Sequence, residues 1–457
     1  MVAIRRGVEI EEQVRALMSE ARDDRDASGA RVEREESASP QRRVPRSREP
    51  RRALDPINIR DLIVPGVGNR RIFRILLTNA CRFSCDYCPM RAERDLPRHA
   101  LEPASLARLF MTAFRRGWCD GLFVTSGIPR DPVFAMERMV QLVETLRFTH
   151  GYRGYLHAKA LAGAEPGQIE RLVRLVDRVS YNLEAPCQRA LDEHAPGKSV
   201  ASGLALLETA RDAALAVREA RRTSARQAPA PLPACLPPSL LLSLSARPMA
   251  GRRGSTLQPG GMRAGATTQF VVGLGKESDR ELLSFAEGLE KKRLIHHPQF
   301  AAFRPIRNTP LENVPGTPPL RERRLYQADH LMREYGFSAE EFVYGKDGHL
   351  PLDHDPKLTW VLANPGRFPV ELTTASREEL RRVPGFGPRA VERILETRAR
   401  ESLRDLADLK RLGVQVGRAG GFVTLRGRLI GTRSIQAPLF ASISSGDVYE
   451  FSLGTFR

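Results

Sequence analysis

The stretch CRFSCDYCPM, residues 81–90, places Cys81, Cys85 and Cys88 at spacings of four and three. The chain has six cysteines, so half of them stand in one loop; Cys119, Cys187 and Cys235 are scattered singly. Three crowded thiols are odd in number and too close together for a disulfide framework. In a reducing compartment such a cluster binds metal. Zinc normally takes four ligands, and no fourth cysteine or histidine stands within ten residues of any of the three. Three thiolates suit an iron–sulfur cube with one iron left open to a substrate or cosubstrate.

Working outward, the loop follows a strand candidate, FRILLTN (73–79), the first of six. The others are GLFVTS (121–126), YRGYLHAK (152–159), RVSYNLE (178–184), TTQFVVG (267–273) and FAAFRP (300–305). Amphipathic helical stretches fall between them, among them PASLARLFMTAFRRG, VFAMERMVQLVETLRF and GQIERLVRLVD. Alternating strands and helices read as an α/β parallel barrel, complete or partial, of the TIM type. Chemistry in such a fold gathers at the C-terminal ends of the strands, where the cysteine loop begins.

The chain has 457 residues, enough for two or three domains, and a formal net charge of +18 from 72 basic and 54 acidic residues. The excess favours an anionic partner such as nucleic acid, although a high-GC genome also enriches arginine. No run of ~18 apolar residues is present, so no membrane span is expected. The first residues lack the apolar core of a signal peptide. A soluble, cytoplasmic protein is the expectation.

Residues 1–55 read as a disordered charged extension after one short helical stretch, EEQVRALMSEARDD. Residues 56–345 hold the barrel. It is interrupted at 221–265 by a basic, Pro- and Gly-rich insertion with seven arginines and no acidic residue. Residues 346–370 read as a linker, 371–428 as a small helical module and 429–457 as a tail.

Cys81-x₃-Cys85-x₂-Cys88, with Tyr87 before the last cysteine, resembles the signature of the radical S-adenosylmethionine (SAM) superfamily. The resemblance implies a [4Fe–4S] cluster on the three cysteines, SAM on the open iron, and a reductant such as flavodoxin or ferredoxin. It also implies SAM contacts. Thr125, Ser126 and Gly127 stand where the family has a Gly-Gly-Glu-Pro turn, here without its acidic residue. Gly273 and Glu277 resemble a Gly-x-x-x-Glu turn near adenine, and RPIRNTPLE (304–312) a recurrent Pro-x-x-x-Thr-Pro-Leu loop. Asn182 and Glu184 share parity on one strand, as do His157 and Lys159 on another, so each pair faces one way. Asn182 and Glu184 suit hydrogen bonds to ribose or to the methionine end of SAM, or simply satisfy the barrel rim. Lys159 suits the SAM carboxylate or a structural ion pair. Cys187, just beyond Glu184, is a candidate hydrogen donor to a product radical, or a small buried residue.

The second informative stretch is TTASREELRRVPGFGPRAVERILETRAR (373–400). Ser376 and Glu379 form a capping-box pattern, Pro384-Gly385-Phe386-Gly387 breaks the helix, and a second helix resumes at Pro388. This resembles the helix-hairpin-helix module, which grips the nucleic-acid backbone without reading sequence. Gly385, Phe386 and Gly387 would bring amides to a phosphate, while Arg381, Arg382, Arg389 and Arg393 would supply charge. SLRDLADLKRLGV (402–414) reads as a second, degenerate copy.

Barrel and module together resemble the radical SAM proteins of DNA modification or repair. The leading expectation is hydrogen abstraction from a nucleic-acid base or sugar, DNA first. The alternatives are modification of RNA or peptide with the hairpin as a docking piece, and a non-catalytic DNA-bound iron–sulfur protein. The chain lacks the extra cysteine cluster of methylthiolating families and the cysteine-rich extension common in peptide-maturing ones.

Overall fold

The computed structural model describes residues 10–23, 63–65, 70–226, 259–400, 403 and 405–431. Two compact units result, one from the described residues of Met1–Glu277 and Phe285–Glu322, the other from those of Ser278–Ser284 and Arg323–Arg457.

In the first unit, β1 (Val64–Pro65) pairs antiparallel with β2 (Arg71–Leu76). From β2 onward the sheet runs parallel in chain order through β3 (Gly121–Thr125), β4 (Tyr155–Lys159), β5 (Arg178–Glu184), β6 (Ala266–Val272) and β7 (His297–Ala302). These six parallel strands curl into a half-barrel of the partial TIM type. Helices α2 (Pro103–Arg115), α3 (Pro132–Glu144), α4 (Pro166–Leu175), α5 (Gln188–His194) and α6 (Val200–Arg226) lie between the strands. Their starts are written locally. Pro103, Pro132 and Pro166 stand in the first turn, where a missing N–H costs nothing. The Asp131 carboxylate caps α3 by accepting from the Phe134 N–H at 2.7 Å.

Strands β3 and β6 are buried along their whole length, as expected of parallel strands covered on both faces. Phe73, Phe110, Phe270 and Phe300 are the largest side chains fully enclosed in this unit. At the N-terminal end of the strands Asp177 ties the connections together. It accepts from Arg147 at 3.1 Å and from Arg263 at 2.7 Å.

The structure bears on three of the sequence boundaries. The short helix expected near the N-terminus is present as α1 (Ile10–Asp23) and packs on β2, with Val14, Leu17 and Met18 fully buried. Residues 24–55 lie outside the described residues. The ends of the 221–265 insertion are structural: 221–226 complete α6, Arg221 donates to the carbonyls of Pro259 and Gly260, and Arg263 holds Asp177. Its middle, 227–258, lies outside the described residues. The linker at 346–370 folds as well, because PKLTWVLA (356–363) forms a helix with Trp360 and Val361 buried.

That helix belongs to the second unit. Between α7 (Asp279–Lys291) and the next helix lies β7; α8 (Pro319–Tyr335) is followed by α9 (Pro356–Ala363) and β8 (Val370–Glu371). Then come α10 (Arg377–Arg382), α11 (Pro388–Arg400), α12 (Leu406–Arg411), α13 (Val416–Ala419), β9 (Val423–Leu425) and β10 (Arg428–Leu429). Strand β9 pairs parallel with β8 and antiparallel with β10. An aromatic cluster of Phe337, Phe342, Trp360, Phe368 and Phe422 forms much of the core here. Beyond residue 431 the expected tail lies outside the described residues.

Candidate active site and candidate nucleic-acid interface

Cys81, Cys85 and Cys88 line one cavity of about 440 Å³ at the C-terminal ends of the strands. The loop that carries them is fixed by its backbone. Cys88 N–H donates to Cys85 O at 3.1 Å, Ala92 N–H to Phe83 O at 3.0 Å, and Arg82 N–H to Ile128 O at 2.8 Å. Among the described residues no three His, Cys, Asp or Glu side chains converge on a point that would hold a single metal ion. Thiolates spread around a cavity suit a cube, in which each cysteine meets a different iron. Burial pushes the Cys85 and Cys88 thiols up, against the field of Lys198; bound iron would favour the thiolates further.

The strand ends supply the polar wall. Thr125, Lys159, Asn182, Glu184 and Gln269 all line the cavity, as do Tyr87, Ser126 and Gly127. Parity alone does not explain β5. Its register with β6 shifts between Tyr181 and Glu184, and Glu184 sits at φ 66°, left-handed and unusual for a non-glycine residue. Tyr181 lines the cavity beside Asn182 and Glu184. Lys198 meets Glu184 Oε1 at 2.7 Å and also donates to the Tyr87 hydroxyl at 3.3 Å. Asn182 Oδ1 and Glu184 Oε2 are buried acceptors without a partner. They fit the amino group and ribose hydroxyls of SAM, which are donors.

Other expected residues have different work. Gly273 and Glu277 do not line the cavity. The Glu277 carboxylate accepts from the N–H groups of Gly273 at 2.7 Å and Gly275 at 2.8 Å, so it closes its own turn. Gly273 is required by a φ of 83° and by Thr317, whose hydroxyl would lie 2.1 Å from an added Cβ. Gly127 lines the cavity, but its N–H donates to Thr78 O at 2.7 Å. An added Cβ there would lie 2.3 Å from Ala80 O, so it allows the β3 loop to press against the residue before Cys81. Buried His157 shares a 2.9 Å hydrogen bond with Ser180, and burial holds its pKa well below the usual range. Cys187 does not line the cavity. Partly buried, it precedes α5 and packs against the cluster of Cys85, Ala185, Ala190, Leu191 and Ala195. Cys119, at the opposite end of β3, is buried and its thiol pushed up to about 12 by desolvation.

Sequence reasoning missed Lys198, Arg98 and Glu20. Lys198 stands in the short PGKS turn before α6, where nothing in a linear pattern points at β5. Glu20 lies at the edge of the apolar stripe of α1, and it lines the cavity. Arg98 has no local signature at all.

In the second unit, α10 and α11 are joined by a tight turn, Val383–Gly387. The Ser376–Glu379 capping box forms, Glu379 N–H reaching Ser376 Oγ and Ser376 N–H reaching Glu379 Oε2. A second pair, α12 and α13, turns at Gly413. The two turns meet: Gln415 N–H donates to Gly385 O at 3.1 Å. Gly385 is irreplaceable there, with φ 77° and Gln415 O only 2.6 Å from an added Cβ. A Cβ added at Gly387 would meet the Tyr335 hydroxyl at 3.9 Å, an ordinary contact; Phe386 is buried, and Arg389 and Arg393 are exposed. Arg381 and Arg382 already have acidic partners. Arg381 pairs with Glu392, and Arg382 pairs with Glu341 while stacking 3.6 Å over the Phe337 ring.

Comparison with known proteins agrees with the first unit. Residues 75–220 match the family model of the radical SAM superfamily. A search of curated protein sequences returned no match. Among solved structures the chain is similar to HydG, a maturase of the [FeFe]-hydrogenase, at 16% identity and TM-score 0.39, covering 61% of this chain and 53% of that one. It is also similar to HydG from Carboxydothermus hydrogenoformans at 15% identity and TM-score 0.38, covering 56% and 50%. For methylornithine synthase (PylB) the identity is 12% and the TM-score 0.39, covering 57% and 61%. The chain thus spans about half to three-fifths of the length of these relatives, and likeness at this level says nothing about substrate. No helix among the described residues is long and apolar enough to cross a membrane. The cysteine loop at the mouth of the half-barrel and the matched family agree that residues 75–220 are a radical SAM domain, with a [4Fe–4S] cluster and S-adenosylmethionine as its cofactors.

Proposed function

We propose that the chain is a radical SAM enzyme that modifies or repairs nucleic acid, DNA in the first place. The observation that carries the substrate class is the pair of apposed glycine turns in the second unit, with Arg389 and Arg393 exposed beside the first. Glycine turns leading into helix N-termini present amides to phosphate oxygens and hold a backbone without reading bases. Such binding fits the net charge of +18.

When bound, the cluster and SAM supply a 5′-deoxyadenosyl radical able to abstract hydrogen from a substrate carbon. The protein's own residues bind and orient. Cys81, Cys85 and Cys88 hold the cluster; Asn182 and Glu184 offer acceptors, and Lys198 keeps the Glu184 carboxylate in place. Lys159 offers a cation to the SAM carboxylate. A base would have to enter flipped or from a single strand. A reductant such as flavodoxin or ferredoxin supplies the electron.

The test is SAM cleavage by reconstituted protein with duplex DNA, single-stranded DNA, RNA or peptide added. The proposal expects DNA to stimulate turnover and wild-type affinity for duplex DNA to fall steeply with salt. Stimulation by RNA or peptide alone would reassign the substrate.

A further inference from the structure

Arg98 and Glu20 form an unassigned charged layer behind the cluster loop. Arg98 is 4% exposed, and its guanidinium donates to four carbonyls: Asn79 at 2.8 Å, Met90 at 2.8 Å, Arg91 at 2.6 Å and Arg94 at 2.9 Å. These carbonyls flank the three cysteines on both sides. Asn79 is fully buried. Its amide donates to Glu20 Oε1 at 3.0 Å and Pro97 O at 2.9 Å, while its Oδ1 accepts from the His99 N–H at 2.6 Å. Glu20 belongs to α1, whose apolar face is wholly buried on β2, so the N-terminal helix reaches the cluster loop through this carboxylate.

We infer that Arg98 and Glu20 are positioning residues that set the retention and the reduction potential of the cluster, with opposite signs. Arg98 does two things. It gathers the backbone on either side of the cysteines, and it places a fixed positive charge beside them. Burial lowers the Arg98 pKa, and the fields of Cys81, Glu20 and Cys88 oppose that shift, which places the guanidinium within their reach. One-electron reduction adds a negative charge to the cluster, and a nearby buried cation stabilises that state more than the oxidised one. Glu20, an anion beside the same loop, opposes it. Three further cations stand near the loop and are already engaged: Arg94 with the carbonyls of Pro89 and Arg307, Arg91 with Asp86 and Glu93, and Lys198 with Glu184. The inference concerns the cluster alone and is independent of the substrate.

The experiment uses full-length protein reconstituted anaerobically without SAM. Iron per chain is measured, and the midpoint potential is read from a redox titration followed by electron paramagnetic resonance. R98Q should hold less iron and show a more negative potential, R98K should lose iron too but keep the potential near wild type because the charge remains, and E20Q should shift the potential upward. A merely structural role would lower iron content without moving the potential of the clusters that remain. An unchanged potential in iron-loaded R98Q would therefore overturn the inference. Should R98Q retain no cluster, E20Q decides: an unmoved or more negative potential there overturns it too.

Discussion

Removing one partner of the Lys198–Glu184 pair should be far more damaging than removing both. The ammonium and carboxylate lie 2.7 Å apart, with side chains 16% and 4% exposed. In Lys198→Met the Glu184 carboxylate loses its cation, and its second oxygen already has no partner. Breaking a buried pair from one side costs about 3–5 kcal/mol, because the surviving charge stays desolvated. In the double variant Glu184→Gln with Lys198→Met no charge remains, and stability should return to within about 1–2 kcal/mol of wild type. The assay is urea unfolding of the reconstituted enzyme under anaerobic conditions without SAM, followed by far-UV circular dichroism. If Lys198→Met costs under about 1 kcal/mol, or the two substitutions simply add, Glu184 is held by something other than Lys198.

Lys357 gives a pH prediction for the second unit. It is 6% exposed, donates to Phe386 O at 3.0 Å, and burial above all pushes its pKa down to about 7. Between about pH 7 and 10 the unfolded chain holds the proton and the folded one does not, so stability should rise with pH by at most about 5 kcal/mol. Below pH 7 both states are charged and the dependence stops. Lys357→Met should flatten the rise in an unfolding series, and a rise that survives would assign it to another group. The two hairpin glycines should separate folding from binding. Gly385→Val, with positive φ and a carbonyl 2.6 Å from the new Cβ, should lower the melting temperature of the second unit. Gly387→Val should leave that melting temperature nearly unchanged while weakening duplex DNA about tenfold by anisotropy, roughly 1.4 kcal/mol. Full DNA affinity in folded Gly387→Val would move the binding surface elsewhere.

The barrel was legible because each of its strands is a short apolar run followed by an amphipathic helix, and because the cysteine loop marks a strand's C-terminal end. Asn182, Glu184, Thr125 and Lys159 could be placed from strand parity and loop position. What parity could not show is the register shift that turns Glu184 into the left-handed region, since a bulge depends on the neighbouring strand. The hydrogen bonds of the Gly273–Glu277 turn were not legible for a related reason. A carboxylate four residues beyond a glycine closes a turn as readily as it meets a ligand, and only the hydrogen bonds decide. Lys198, Arg98 and Glu20 were invisible because their partners are remote: Lys198 acts on the end of β5, Arg98 on carbonyls up to 19 residues away, and Glu20 across 59 residues. Docking was harder to read than helicity, because few apolar residues suffice: three on the expected N-terminal helix α1, and the Trp360 helix in the segment read as a linker.

The most direct measurement is SAM cleavage in the absence of any substrate. Protein reconstituted with iron and sulfide, given dithionite and SAM, should release 5′-deoxyadenosine and methionine. Alanine at Cys81, Cys85 or Cys88 should abolish both the brown chromophore and this product, while Cys119→Ala, buried at the other end of β3, should retain them. Full iron content and 5′-deoxyadenosine release from any of the three loop variants would contradict the assignment of the cluster to that loop.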